Sequence, residues 1–255
     1  MTSPHLIRSR ENDFFKQIKS YQSAKYRKQD SCLIADGEKT YQEALTKLQL
    51  RHTIISESYL QAHPQTVEEY ASKLTVFADN IFESISEFKT SQGILGIFEL
   101  PIFDAEMSKF SRVVLLENVQ DPKNVGAIIR TAHCLDFEAV FLGEGCAAPF
   151  SPKVIRSSMG SVFHLPVLSC AIENQIRDLK DADFTIVGTA LSGNTEVRNY
   201  DKIALIVGSE GGGLSSKTRA LCDDLFRIEI NSSAESLNAS VASGIAMYLF
   251  NDKSG

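Results

Sequence analysis

Ile203-Ala204-Leu205-Ile206-Val207 is an unbroken apolar run that passes directly into Gly208-Ser209-Glu210-Gly211-Gly212-Gly213. Neither face of such a strand suits water. A strand apolar on both faces belongs inside a parallel sheet, with helices above and below. Residues 184–188 have the same β-branched, apolar character, and 113–117, 139–142 and 225–230 read as further strands. Helical spacing recurs at 124–135, 152–158, 171–179 and 238–250, and the last of these is rich in Ala and Gly. Strands alternating with helices predict an α/β fold with a mainly parallel sheet covered on both sides.

The first part of the chain alternates in the same way. Residues 32–35, 52–56, 74–78 and 94–100 read as strands, and 81–88 as a short helix. Tyr41, Ala44, Leu45 and Leu48 have helical spacing. Thr66 and Glu69 have the spacing of a capping box. Residues 101–111 carry Pro101, several charges and no periodicity, which suits a linker. The expected division is a smaller α/β domain over 1–100, a linker over 101–111 and a larger α/β domain over 112–255.

No apolar run approaches the roughly 20 residues that span a bilayer. Residues 1–28 are polar and basic, with no hydrophobic stretch after the charges, which does not fit a secretory signal. The five cysteines (Cys32, Cys134, Cys146, Cys170, Cys222) form no CxxC pair. That argues against a disulfide framework and a metal site, and it fits a reducing cytoplasm. Each cysteine reads as a small buried apolar residue.

The net charge is −6, which alone speaks mildly against nucleic acid. Its distribution is uneven. Arg8, Arg10, Lys16, Lys19, Lys25, Arg27 and Lys28 crowd residues 1–30 against Glu11, Asp13 and Asp30. Two readings stand side by side: a solvated terminus, or a patch that contacts phosphates.

Three segments are unusual for plain scaffold. In the first, residues 117–132, a strand ends in a polar loop and a helix opens with Asn124 near its cap. Asn124 suits an N-cap. Arg130 sits among apolar residues; it either snorkels from a helix edge or meets an anion such as phosphate. The second is the glycine loop after Val207. It lacks the Lys-Ser/Thr of a P-loop and the spacing of a dinucleotide fingerprint, and Glu210 would repel a pyrophosphate. A tight turn explains it equally well. In the third, residues 228–242, a strand leads through a Ser/Asn loop to a helix that Ser236 or Asn238 caps.

In this order, the three segments resemble the SpoU (TrmH-like) family of RNA ribose 2′-O-methyltransferases, within the SPOUT superfamily. The family carries an Asn…Gly…Arg helix, a Gly-x-Glu-Gly-x-Gly-Leu/Met-Ser loop and a Ser-Leu-Asn helix start. Arg8-Ser9-Arg10-Glu11-Asn12, the basic helix through Lys28, Leu33-Ile34-Ala35-Asp36-Gly37-Glu38 and Ser91-Gln92-Gly93-Ile94-Leu95-Gly96-Ile97 resemble its N-terminal, L30e-like substrate-binding domain. Asp36 stands where Glu is usual, and Ile228-Glu229-Ile230 where Ile-Pro-Met is usual. The loop 231–235 also lacks the usual Gly.

The resemblance implies S-adenosylmethionine as methyl donor, a trefoil knot and a homodimer whose active site draws on both chains. It implies cofactor contacts at Thr189, Ala190, Leu191, Gly208, Ile228, Ile230 and Leu237. It assigns Arg130 a base-like role, or one of orienting phosphate and hydroxyl. Asn124 and Asn238 then position the ribose or Arg130, Glu210 holds Arg130 or the loop, and Ser236 supports the site. Arg8, Arg10, Lys25, Arg27, Lys28 and Arg130 are the expected RNA contacts. The two-domain layout favours ribosomal RNA over tRNA. A catalytically inactive RNA-binding protein is the rival from another class, against which the intact motif residues argue. A dehydrogenase would need an early GxGxxG, which is absent.

Overall fold

The computed structural model describes residues 5–88, 90–103, 106–209, 211–231, 233 and 235–251. They fall into two units, Met1–Ile102 with Phe150–Phe163, and Phe103–Pro149 with His164–Gly255.

The first unit contains, in order, β1 (His5–Ile7), α1 (Asp13–Ser20), α2 (Ala24–Gln29), β2 (Cys32–Asp36), α3 (Glu38–Lys47) and β3 (Leu50–Ser56). These are followed by α4 (Glu57–Ala62), α5 (Thr66–Tyr70), β4 (Leu74–Phe77), α6 (Asp79–Phe82) and β5 (Ile94–Glu99). The sheet order is β1-β4-β3-β5-β2. β1, β4 and β3 are parallel, whereas β5 runs antiparallel to both β3 and β2. A parallel return to the sheet needs a full crossover, and α6 is a single turn. The helix expected over 81–88 stops at Phe82. Beyond it, Ser84 Oγ donates to the Ile81 carbonyl and Ser86 Oγ to Asp36 Oδ2. Such side chains compete with the helical ladder.

Asn12 caps α1 by accepting from Phe14 N and Phe15 N. Phe15 and Ile18 then point into a core shared with Ile34, Ile54, Phe77, Phe82 and Leu95. Asp36 is buried, and loss of water pushes its carboxyl above the usual range. The Asp36 Oδ2 that Ser86 meets also accepts from Glu87 N at 2.7 Å.

The second unit's strands are β6 (Arg112–Leu116), β7 (Ala139–Leu142), β8 (Val167–Ser169), β9 (Thr185–Asn194), β10 (Ile203–Val207) and β11 (Asp224–Phe226). Between and after them lie α7 (Pro122–Cys134), α8 (Pro152–Ser157), α9 (Ile172–Asp181), α10 (Ser216–Leu221) and α11 (Ala239–Leu249). The order is β11-β9-β10-β6-β7-β8, parallel throughout. Val113, Leu115, Ala204 and Ile206 face a core with Ile176 and Leu179 of α9. The other face of the sheet carries the pair α7 and α11. From β6 the chain moves outward through β7 and β8, then returns to the other side of β6 through β9 and β10. The carboxyl ends of β6 and β10 therefore form a switch point, where open parallel sheets bind ligands. α8 follows β7 in sequence but belongs to the first unit, where it packs against β2, with the Arg156 guanidinium over the Phe88 ring at 4.0 Å.

Two expectations change. The strand read over 225–230 ends at Phe226. β11 is an edge strand whose register on β9 slips between Leu225 and Phe226; Arg227 N still donates to Asn194 O, and residues 228–230 run on outside any strand. Of the five cysteines only Cys32 is buried; Cys146, Cys170 and Cys222 are half-buried, and Cys134 is exposed where it ends α7. Among the described residues, no helix is long and apolar enough to cross a membrane.

Candidate active site

β10 is buried along its whole length and delivers Gly208 to the end of the sheet. A Cβ on Gly208 would lie 2.2 Å from the Gly213 carbonyl carbon, so only glycine fits. The loop folds back on itself: Gly213 N donates to Ser209 O at 2.9 Å, with Gly213 in the left-handed region at φ +62°. Gly212 N donates to Ser209 Oγ at 3.2 Å. Glu210 lies outside the described residues.

Glu117, just past β6, anchors the loop's exit. Its backbone N–H donates to Val207 O at 2.9 Å. Its carboxylate accepts from Ser215 N at 2.9 Å and from Thr218 Oγ1 at 2.7 Å. Ser215 in turn caps α10 by accepting from Thr218 N. The sequence motifs alone give Glu117 no role. The signal was there: a carboxylate at the end of the strand beside β10.

Beside this loop is a cavity of about 380 Å³, within the range of small-molecule sites, about 300–1,000 Å³. Thr189, Ala190, Leu191, Gly208, Ile228, Ile230 and Leu237 all line it. Thr189 Oγ1 donates to Ile206 O at 3.1 Å, which ties the middle of β9 to β10. Arg227, Ile228 and Ile230, just beyond β11, form part of the wall. Ser236 also lines the cavity and is exposed. Sequence reading missed Arg219, Arg227 and Glu235, which bring both signs of charge to the same wall.

Asn124 does not cap α7. Asp121 does, accepting from Lys123 N, with Pro122 in the first turn, where proline is pre-organised. Asn124 is thereby carried inside the helix and is 8% exposed. It accepts a hydrogen bond from Asn238 Nδ2 at 3.0 Å. Asn238 Oδ1 caps α11 by accepting from Ser240 N and Val241 N. Arg130 lies further along α7 and is exposed. None of Asn124, Arg130 and Asn238 lines the cavity.

In the first unit, Arg8, Arg10, Lys25 and Lys28 are exposed. Arg8 pairs with Glu57 at 2.6 Å, and Lys25 lies 5.8 Å from the Tyr26 ring. Arg27 departs from this set: it is buried, and its Nη1 donates to the carbonyls of Tyr21 and Gln22. It holds the turn between α1 and α2. Among the described residues, no group of three or more His, Cys, Asp or Glu side chains is placed to hold a metal ion.

The SpoU rRNA Methylase family model matches residues 111–248. This chain belongs to that family. Residues 12–96 match the MRM3-like substrate binding domain. Among curated relatives of this SpoU-family chain is the 23S rRNA (guanosine(2553)-2′-O)-methyltransferase RlmP of Bacillus subtilis. It is 30% identical, over 95% of this chain and 97% of the relative. Among solved structures, an AdoMet-bound rRNA methyltransferase from Sinorhizobium meliloti superposes with a TM-score of 0.84, at 25% identity over 96% of each chain. A TrmH-family RNA methyltransferase described as putative, from Porphyromonas gingivalis, gives 0.79 at 27% identity, over 92% of this chain and 96% of that one.

Proposed function

We propose that this SpoU-family chain methylates a ribose 2′-hydroxyl of ribosomal RNA from S-adenosylmethionine, as a cytoplasmic homodimer. Residues 1–100 select the RNA, 101–111 link, and 112–255 carry the chemistry. The observation that carries the reading is the cavity at the ends of β10 and β11 and beside the middle of β9, walled by backbone, small residues and apolar side chains.

That wall fits the cofactor. The glycine loop allows close backbone approach to the adenine, the apolar side chains suit its rings, and Arg219 and Glu235 offer opposite charges to the amino-acid tail. When bound, the cofactor supplies an electrophilic methyl on a sulfonium.

The protein's own task is to aim the hydroxyl and manage its proton. A hydroxyl is a weak nucleophile until its proton begins to leave. Arg130 acts as a hydrogen-bond donor whose planar fork matches a phosphate. It binds the phosphate beside the target ribose, holds a phosphate oxygen where it accepts the hydroxyl proton, and stabilises oxygen charge developing during attack. Asn124 and Asn238 hold a fixed pair that orients the ribose. Glu210 steadies Arg130 or the loop, and Ser236 supports the cavity wall.

The dimer is supported by two observations. α11 leaves Val241, Tyr248 and Leu249 exposed, Tyr248 by 71%. Arg130 does not line its own chain's cavity, which suits a site completed by a second copy. Mapping ribose methylation in ribosomal RNA from cells with and without the gene tests the function. One position should lose its 2′-O-methyl group and regain it with wild-type protein only. An unchanged map of ribosomal RNA overturns the reading.

A further inference from the structure

The first unit carries a second recess, of about 480 Å³, on elements the proposed chemistry does not use. One wall is α1 and its end: Phe14, Gln17 and Tyr21 recur at helical spacing. The other wall is Asp30 with Arg51 and His52 of β3, and Ile97 of β5 supplies an apolar surface.

The polar groups in it are held in place. Tyr21 Oη donates to Asp30 Oδ2 at 2.7 Å and accepts from Gln17 Nε2 at 2.9 Å. Arg51 Nη1 donates to the Asp30 carbonyl, and Arg51 Nε stands 3.5 Å from Glu99 Oε1. The Asp30 carboxylate, tied to Tyr21, and the Arg51 guanidinium, tied to the Asp30 carbonyl, thus both line the recess. The Phe14 ring stands 4.8 Å from the His52 imidazole at 66°. His52 Nε2 is 2.8 Å from Thr75 Oγ1, and burial keeps its ring neutral by lowering its pKa. Exposed Lys25 and Lys28 lie on α2, between the two walls in sequence.

Flat rings, an apolar surface and paired polar groups are what a splayed RNA base needs. Single-stranded RNA is read by stacking bases on aromatic or His rings and bonding their edges. Guanine carries N1–H and N2–H donors on one edge and the O6 and N7 acceptors on the next. A carboxylate and a guanidinium lining one recess complement those two edges, and no other base offers this order of groups. We propose that this recess takes a guanine, unstacked from a single-stranded part of the RNA substrate. Asp30 accepts from N1–H and N2–H, and Arg51 donates to O6 and N7. The inference rests on the reading that residues 1–100 bind the RNA.

The test uses the full chain in two arms. In the first, histidine ring signals are followed by NMR during titration with GMP, AMP, CMP and UMP, with His52 assigned from His52→Gln. GMP should move the His52 signals most. No movement, or a larger one with another nucleotide, overturns the proposal. In the second, RNA affinity is measured for Arg51→Ala, Gln17→Ala and the double variant Lys25→Ala/Lys28→Ala, with unfolding midpoints checked. Arg51→Ala should weaken RNA binding about tenfold or more and leave S-adenosylmethionine affinity unchanged. Gln17→Ala, at an exposed position, should weaken RNA binding less. If only the lysine variant weakens binding, the guanine recess falls and the RNA-binding reading stands. If none of the three does, both fall.

Discussion

Asn238 Nδ2 donates to Asn124 Oδ1 at 3.0 Å across 114 residues of sequence. The same Asn238 spends its oxygen on the N-terminus of α11. One side chain therefore performs two jobs with its two ends: the oxygen builds the helix and the nitrogen reaches the motif residue on α7. Asn238→Asp separates them. A carboxylate keeps the cap, and a helix N-terminus favours its charge, but it has no donor for Asn124. We expect an unfolding free energy within about 1 kcal/mol of wild type and a kcat at least tenfold lower. Asn238→Ala should show the same loss of turnover plus about 1 kcal/mol of instability from the missing cap. Thermal melts and single-turnover methylation check both. Wild-type turnover in the Asp variant would show that the pair is only structural.

Gly208→Ala tests the cavity itself. The new methyl would meet the Gly213 backbone at 2.2 Å, and backbone cannot swing aside as a flexible side chain does. The loop must open, and the wall opens with it. S-adenosylmethionine binding by calorimetry should fall at least tenfold, with a stability loss of about 1–3 kcal/mol, as for overpacking elsewhere. Gly211→Ala is the control, because its Cβ would meet nothing within 4 Å. Equal affinity in the two variants would sink the assignment.

The parallel sheet was legible because β6 and β10 are apolar on both faces, and nothing but a covered central strand suits that pattern. The seven cofactor candidates were legible through motif order, not through periodicity. Other features were invisible in one dimension. Val167–Ser169 is too short to announce itself as a strand, and it exists because β7 offers an edge beside it. Asn124 looked like a cap because the polar loop before it gives no sign of where it ends, whereas Asp121 caps the helix and Pro122 begins it. Arg27 looked like its basic neighbours, but the turn between α1 and α2 draws it inside. Arg219 and Glu235 reach the cavity only after the chain has folded back.

His52 should make the first unit acid-sensitive. Burial lowers its pKa from the ordinary value of about 6.5. The folded state therefore holds the ring neutral, while the unfolded chain takes up a proton as pH falls through that value. Where the unfolded state binds more protons, stability rises with pH. The His52 contribution is thus intact above about pH 6.5 and is lost as pH falls toward the depressed folded value. His52→Gln retains a polar partner for Thr75 without the titration. Urea unfolding from pH 7.5 to 5 should show a shallower acid loss in the variant. Identical slopes would mean that His52 is not the group responsible.

Arg130 carries the sharpest expectation for the chemistry. It is exposed, and it lines no part of the cavity in its own chain. Arg130→Ala should therefore leave S-adenosylmethionine affinity unchanged while lowering the single-turnover rate about 10²–10³-fold, the usual cost of losing one charge-stabilising donor. Arg130→Lys should recover only part of that rate, because an ammonium lacks the planar fork that grips phosphate. Whether the residue serves its own subunit or the other is decided by mixing. In the proposed dimer, if it is symmetric, the two sites are equivalent. A hybrid of an Arg130→Ala chain with a Gly208→Ala chain would keep one intact site only if Arg130 reaches across, since the first supplies a sound cavity and the second a sound arginine. We expect the refolded mixture to regain methyl transfer that neither parent shows. A mixture as inactive as its parents would place Arg130 in the site of its own chain.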